Sequence, residues 1–107
     1  MPYHDADGAP ALQVDANADG TTTVRLSGLV GRETLAIVRR AFESAGGSGP
    51  LIVDLTGVAF LDSSGIGLLF VVARNRGLEL VLGPGCPVFP VVAVSGLDEV
   101  ASLRTPR

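Results

Sequence analysis

Asp62-Ser63-Ser64-Gly65 brings a carboxyl group, two hydroxyls and a residue with no side chain to one corner of the chain. The corner follows the apolar run Leu51-Ile52-Val53-Asp54-Leu55 and precedes a second apolar stretch that opens at Ile66, so a strand leads through a turn into a helix. Such a corner suits three kinds of chemistry. A short polar side chain accepts hydrogen bonds from the unpaired N–H groups of the helix's first turn, a capping role open to Asp62, Ser63 and Ser64 alike. A serine at a strand-to-helix turn can also serve as a nucleophile, but only beside a general base. The one histidine, His4, stands in a polar N-terminal stretch, and Asp54 is not matched in sequence with a second carboxylate, so the chain is expected not to be an enzyme. The third possibility is modification. A phosphate on serine adds roughly −1.5 to −2 charges, and at the mouth of an apolar helix that charge governs whether another protein docks.

The helix after the corner supports the third reading. On a helical wheel Ile66, Leu69, Phe70 and Ala73 fall on one side and Ser64, Gly67, Leu68, Val71 and Asn75 on the other, leaving both faces apolar. One face is expected to meet a sheet, and the other needs a partner.

The rest of the composition narrows the function by exclusion. The chain has 107 residues and a net charge of −3, and all eight basic side chains are arginine, so nothing in it resembles the basic footprint of a nucleic-acid binder. One cysteine, Cys86, and one histidine fall short of the ligands a zinc site requires, and no cofactor motif occurs. Gly83-Pro84-Gly85 reads as a turn, not a phosphate loop. Residues 1–10 lack the basic start and apolar core of a secretory signal. The uncharged stretch from Leu80 to Leu97 is broken by Pro84, Pro87 and Pro90, so no membrane insertion is expected and a cytoplasmic location is.

The elements that must position the corner follow from periodicity. Leu12, Val14 and Ala16 alternate with polar residues, Asp19-Gly20 makes a turn, and Val24 and Leu26 continue the alternation, which predicts a hairpin. Leu35, Val38, Ala41, Phe42 and Ala45 predict an amphipathic helix over Arg32 to Ala45, closed by Gly46-Gly47-Ser48-Gly49-Pro50. Leu51 to Leu55 reads as a strand covered on both faces, the next helix runs from Ile66 to Arg76, and Leu78 to Leu82 is a further strand. A third helix is expected from Pro87 to Val94, followed by a weak segment from Leu97 to Leu103. The expected architecture is a single α/β domain over residues 11–107, a mixed sheet with an N-terminal hairpin and helices packed on it, after a flexible tail at residues 1–10.

The run Val53-Asp54-Leu55, Val58, Phe60-Leu61-Asp62-Ser63-Ser64-Gly65-Ile66-Gly67-Leu68-Leu69 resembles the strand, Asp-Ser-Ser-Gly turn and helix of the STAS domain family, and within it the small stand-alone bacterial anti-sigma factor antagonists. Leu26-Ser27-Gly28 and Ser95-Gly96-Leu97 add to the likeness. The resemblance implies a protein that binds an anti-sigma factor, itself a serine kinase carrying ATP or ADP, and so frees a sigma factor; the kinase then inactivates the antagonist by phosphorylation. The phosphorylated serine of the family maps to Ser63, with Ser64 the alternative. Asp62, Ser63, Ser64, Gly65, Gly67, Leu68 and Val71 are the expected partner-binding residues. The rival within the family is a STAS module that is not phosphorylated and serves as a fixed subunit of a lipid-transport or signalling complex. The sequence departs from the antagonist pattern in two places: Leu29, Val30 and Gly31 stand where many antagonists carry acidic residues, and Pro90 falls within the last long helix. The oligomeric state is left open by the sequence.

Overall fold

The computed structural model describes residues 11–106; the expected tail and His4 lie outside the described residues. Strands β1 (Ala11–Ala16) and β2 (Thr22–Val30) form the expected antiparallel hairpin, with Leu12 opposite Leu26 and Val14 opposite Val24 on one face. Its turn is held by Asp19, whose carboxylate accepts the Thr21 amide at 3.1 Å and the Thr21 hydroxyl at 2.6 Å. β2 runs past Leu26 to Val30, because it also pairs in parallel with β3 (Leu51–Leu61).

Helix α1 is Leu35–Ser44, starting three residues after the expected Arg32. Those residues are used in a turn of their own, in which the Thr34 hydroxyl accepts the Gly31 amide at 3.0 Å. Helix α2 is Ser63–Asn75, β4 is Leu78–Val81, α3 is Phe89–Ser95, and a 3-10 turn over Leu97–Glu99 leads to β5, Ser102–Arg104. The weak terminal segment is thus a fifth strand, gained by parallel pairing with β4. α3 starts two residues later than expected, with Pro90 in its first turn, where proline's missing N–H costs nothing. Among the described residues the sheet order is β1-β2-β3-β4-β5, with only the β1/β2 pair antiparallel.

One contiguous core joins Val24, Leu26, Leu51, Val53, Leu55 and Leu80 of the sheet to Val38, Phe42, Leu69, Val72 and Val92 of the helices. The expectation that Leu51 to Leu55 is covered on both faces holds at Ile52, which is buried, and fails at Asp54. Leu51, Val53 and Leu55 are fully buried, but Asp54 points the other way, paired in register with Arg25 and 3.9 Å from its Nε. Arg25 also lies 3.7 Å from Asp15, and Arg104 pairs with Glu79, so this second face carries charged groups matched across strands. An apolar-looking parallel strand can tolerate one carboxylate when a neighbouring strand supplies the cation. β3 also outruns its expected end by six residues, and between Arg25 and Leu29 its partner β2 shifts register twice. Gly57 makes this possible: a Cβ there would stand 2.9 Å from the Ser27 Cβ.

Candidate functional site

The chain turns at Asp62 because that residue bonds in three directions. Its amide donates to the Val30 carbonyl at 3.1 Å, continuing the β2/β3 pairing one step beyond Leu61. One carboxylate oxygen accepts the amides of Ser64 at 2.9 Å and Gly65 at 3.1 Å, capping α2. The other oxygen accepts the Arg32 amide at 3.1 Å and so ties the turn before α1 to the same corner. Of the three residues able to cap, Asp62 takes the role. With the cap at 62, α2 begins at Ser63, three residues before the expected Ile66. Desolvation would raise the Asp62 pKa, but the amides of Gly65, Arg32 and Ser64 and the charge of Arg32 outweigh it, so the carboxyl is held below its usual range and ionised at neutral pH.

Two glycines are required here by close approach. A Cβ on Gly31 would lie 2.7 Å from the Asp62 Oδ2. A Cβ on Gly65 would lie 2.5 Å from the Leu61 Cδ1 and 3.1 Å from the Val30 Cγ1, so the backbone of α2 rests directly on β2 and β3.

The structure redraws the two faces of α2. Its buried residues are Gly65, Leu68, Leu69 and Val72, so Leu68 and Leu69, expected on opposite sides, both turn into the core. Ile66 and Phe70 are half-buried, while Ser63, Gly67 and Val71 are exposed and Ser64 is half-buried. Two surface grooves flank the helix. Ser64, Gly67, Leu68, Val71 and Asn75 all line one of about 630 Å³ that α2 forms with Arg39 and Phe42 of α1. Ser63 and Ile66 line another of about 480 Å³ with Pro90, Val91, Val94 and Ser95 of α3. The adjacent serines therefore open onto different grooves. Leu68 reaches the first only by its edge, and Gly65 reaches neither.

The α3 side of the second groove lies outside the residues that the sequence pattern points to. Val94 is 87% exposed and Val91 42%, an unusual display for a seven-residue helix whose core contact is Val92. The signal was present in the run Val91-Val92-Ala93-Val94, which is too apolar for a helix buried on one side only. Arg32 was missed because its contribution is a backbone amide, which no side-chain pattern reports.

Among the described residues no group of three His, Cys, Asp or Glu side chains is placed to hold a metal, and no helix is long and apolar enough to cross a membrane. No curated protein matches the chain. A family model described as "Mlab, STAS domain" matches residues 12–105. Among solved structures the chain is similar to an anti-sigma factor antagonist from Mycobacterium paratuberculosis, at 24% identity and a TM-score of 0.77 over 94% of this chain and 90% of that one. It is similar to the anti-sigma factor antagonist SpoIIAA in its unphosphorylated form, at 22% identity and a TM-score of 0.71 over 91% of this chain and 89% of that one. The Bacillus cell fate determinant SpoIIAA in its phosphorylated form is likewise similar, at 23% identity and a TM-score of 0.66 over 91% of this chain and 92% of that one. These likenesses are of fold, and with the family model spanning almost all the described residues, the chain belongs to the STAS domain family.

Proposed function

We propose that this protein is an anti-sigma factor antagonist that binds a serine-kinase anti-sigma factor, frees a sigma factor, and is released when Ser63 is phosphorylated. The observation that carries the reading is the position of Ser63: exposed, first in α2, and on the rim of an apolar groove. Its surroundings determine what a phosphate would do. A free helix N-terminus welcomes an anion, but here the Ser64 and Gly65 amides are already bonded to an ionised Asp62. A phosphate on Ser63 would have to displace that carboxylate or turn outward. Outward, it sets roughly −1.5 to −2 charges on the rim of an apolar contact surface, where a docked partner would have to strip its water. Ser64, half-buried in the α1/α2 groove, is the alternative acceptor. The names of two similar structures, an anti-sigma factor antagonist and a phosphorylated SpoIIAA, support the reading.

The second reading, a fixed subunit of a lipid-transport or signalling complex that docks without phosphorylation, is favoured by the apolar character of the α2/α3 groove, since permanent interfaces are the more apolar ones. Affinity capture of native and phosphatase-treated protein, with mass-spectrometric mapping of the modified serine, separates the two. The switch predicts an anti-sigma kinase among the captured proteins and phosphate on Ser63. It also predicts that Ser63→Asp weakens binding at least about tenfold, or roughly 1.4 kcal/mol, while Ser63→Ala binds normally and resists modification. Capture of transport or scaffold subunits with equal affinity for Ser63→Asp would establish the fixed subunit instead. Esterase turnover lost on Ser63→Ala would reopen the enzyme reading.

A further inference from the structure

The outer edge of β1 points to a second interaction surface. Among the described residues, β1 pairs with β2 alone, and its sequence Ala-Leu-Gln-Val-Asp-Ala has none of the proline, lysine or bulge that normally protects an edge. The opposite edge is guarded: β5 has only three residues and carries the Arg104–Glu79 ion pair.

The hydrogen-bond phase of the hairpin fixes what the free edge offers. The Asn17 amide donates to the Thr21 carbonyl at 2.8 Å, and bonded pairs alternate along an antiparallel ladder. Asp15/Thr23 and Gln13/Arg25 therefore carry the bonds to β2, while Leu12, Val14 and Ala16 direct their amides and carbonyls off the sheet. A second copy of β1, antiparallel about a twofold axis through Val14, sets Val14 against Val14, and Leu12 against the second copy's Ala16. In each of these pairs both members face outward, so every free group in the strand acquires a partner. Shifting the axis to Gln13 or Asp15 leaves some of those groups unpaired, and shifting it by half a step would set side chains of opposite faces against each other.

The side chains agree with the same register. On the charged face Gln13 meets the second copy's Asp15, a neutral donor against a carboxylate; within one chain this Gln13 already donates to Asp15 at 3.1 Å. On the helical face Val14 and Ile37, each 49% exposed, flank an apolar groove of about 410 Å³ between β1 and α1. Val14 of the second copy would extend that apolar strip across the axis.

We propose that this protein forms a twofold dimer through antiparallel β1–β1 pairing centred on Val14, giving one continuous sheet. This inference stands apart from the reading of Ser63, since the α2/α3 groove contains no residue of β1 or α1 and stays open in the dimer. Sedimentation equilibrium of the full chain over a wide concentration range tests it. The expected result is a reversible monomer–dimer equilibrium whose dissociation constant rises at least tenfold in Val14→Pro, which lacks an outward amide, and in Val14→Lys, which sets like charges on the axis. Neither change removes a bond to β2, and circular dichroism checks that each variant is folded. With Cys86→Ser as background, Val14→Cys should link to its own copy under oxidised glutathione, because residues that meet across the axis have Cα atoms at bridging distance, whereas Leu12→Cys should not. A protein that remains monomeric, whether residues 1–10 take the edge or nothing does, overturns the proposal. So does a dimer indifferent to both Val14 variants, or equal linking through Leu12→Cys.

Discussion

Replacing Asp62 with alanine removes the group on which the corner converges, and its cost can be worked from the bonds. Loss of a good N-cap costs about 1 kcal/mol and up to about 2. The Arg32 amide also loses its acceptor; because Arg32 is exposed, water replaces it and the penalty is about 0.5–1 kcal/mol. The sum is about 2 kcal/mol, a large share of the stability of a small domain. With a urea m-value of about 1.5 kcal/mol/M, the unfolding midpoint should fall by about 1.3 M. The gap should also depend on pH, with a sign fixed by the direction of the shift. The folded-state pKa of Asp62 lies below its unfolded value, which is about 3.9. Its contribution is therefore complete above that unfolded value and lost as pH falls through the folded one. Urea titrations of wild type and Asp62→Ala should differ by a constant amount from about pH 5 to pH 7, and the gap should shrink as pH falls below about 3.9 toward the lower folded-state pKa. A variant within about 0.3 kcal/mol of wild type at pH 7, or a gap that persists undiminished at the acid end, would refute the assignment of Asp62 as the ionised cap.

Two glycines on one helix should respond oppositely to the same substitution. Gly67→Ala meets nothing within 4 Å and should stabilise the fold by about 0.5–1 kcal/mol through helix propensity. Gly65→Ala drives a methyl into Leu61 and Val30 and should destabilise by about 1–2 kcal/mol net; thermal denaturation of the pair decides. Arg76 donates to the carbonyls of Ala45, Gly46 and Gly49 at 3.1–3.2 Å, clasping the link between α1 and β3. Arg76→Ala should cost about 1–2 kcal/mol and speed amide exchange around residues 45–51, and Arg76→Lys, without the planar fork, should recover less than half.

Much of this architecture could be read from the chain because local physics dictates it. The alternation Leu12-Val14-Ala16 with Asp19-Gly20 specified a hairpin, the spacing Leu35-Val38-Phe42 specified α1, and Asp62-Ser63-Ser64-Gly65 before an apolar stretch specified a capped helix. Each pattern is complete within one turn or one strand, so sequence determined its type and its approximate place, while the starts of α1 and α2 each fall three residues from the expected ones. The family resemblance rested on the same compact segment, and the family model bears it out.

Tertiary structure alone decided how the corner is closed and which surfaces flank it. Nothing local distinguishes Asp62 from Ser63 or Ser64 as the cap. The choice follows from the Arg32 amide and the space above Gly31, thirty-odd residues away in sequence, which admit a carboxylate reaching in two directions. Nor could a helical wheel say that Leu68 turns inward, or that Ser63 and Ser64 serve different grooves, because those depend on where α1 and α3 are laid against α2. The last strand and the far half of β3 were likewise invisible in the sequence: Ser102–Arg104 and Thr56–Leu61 become strand through hydrogen bonds to neighbours, which a chain acquires only once distant segments are brought side by side.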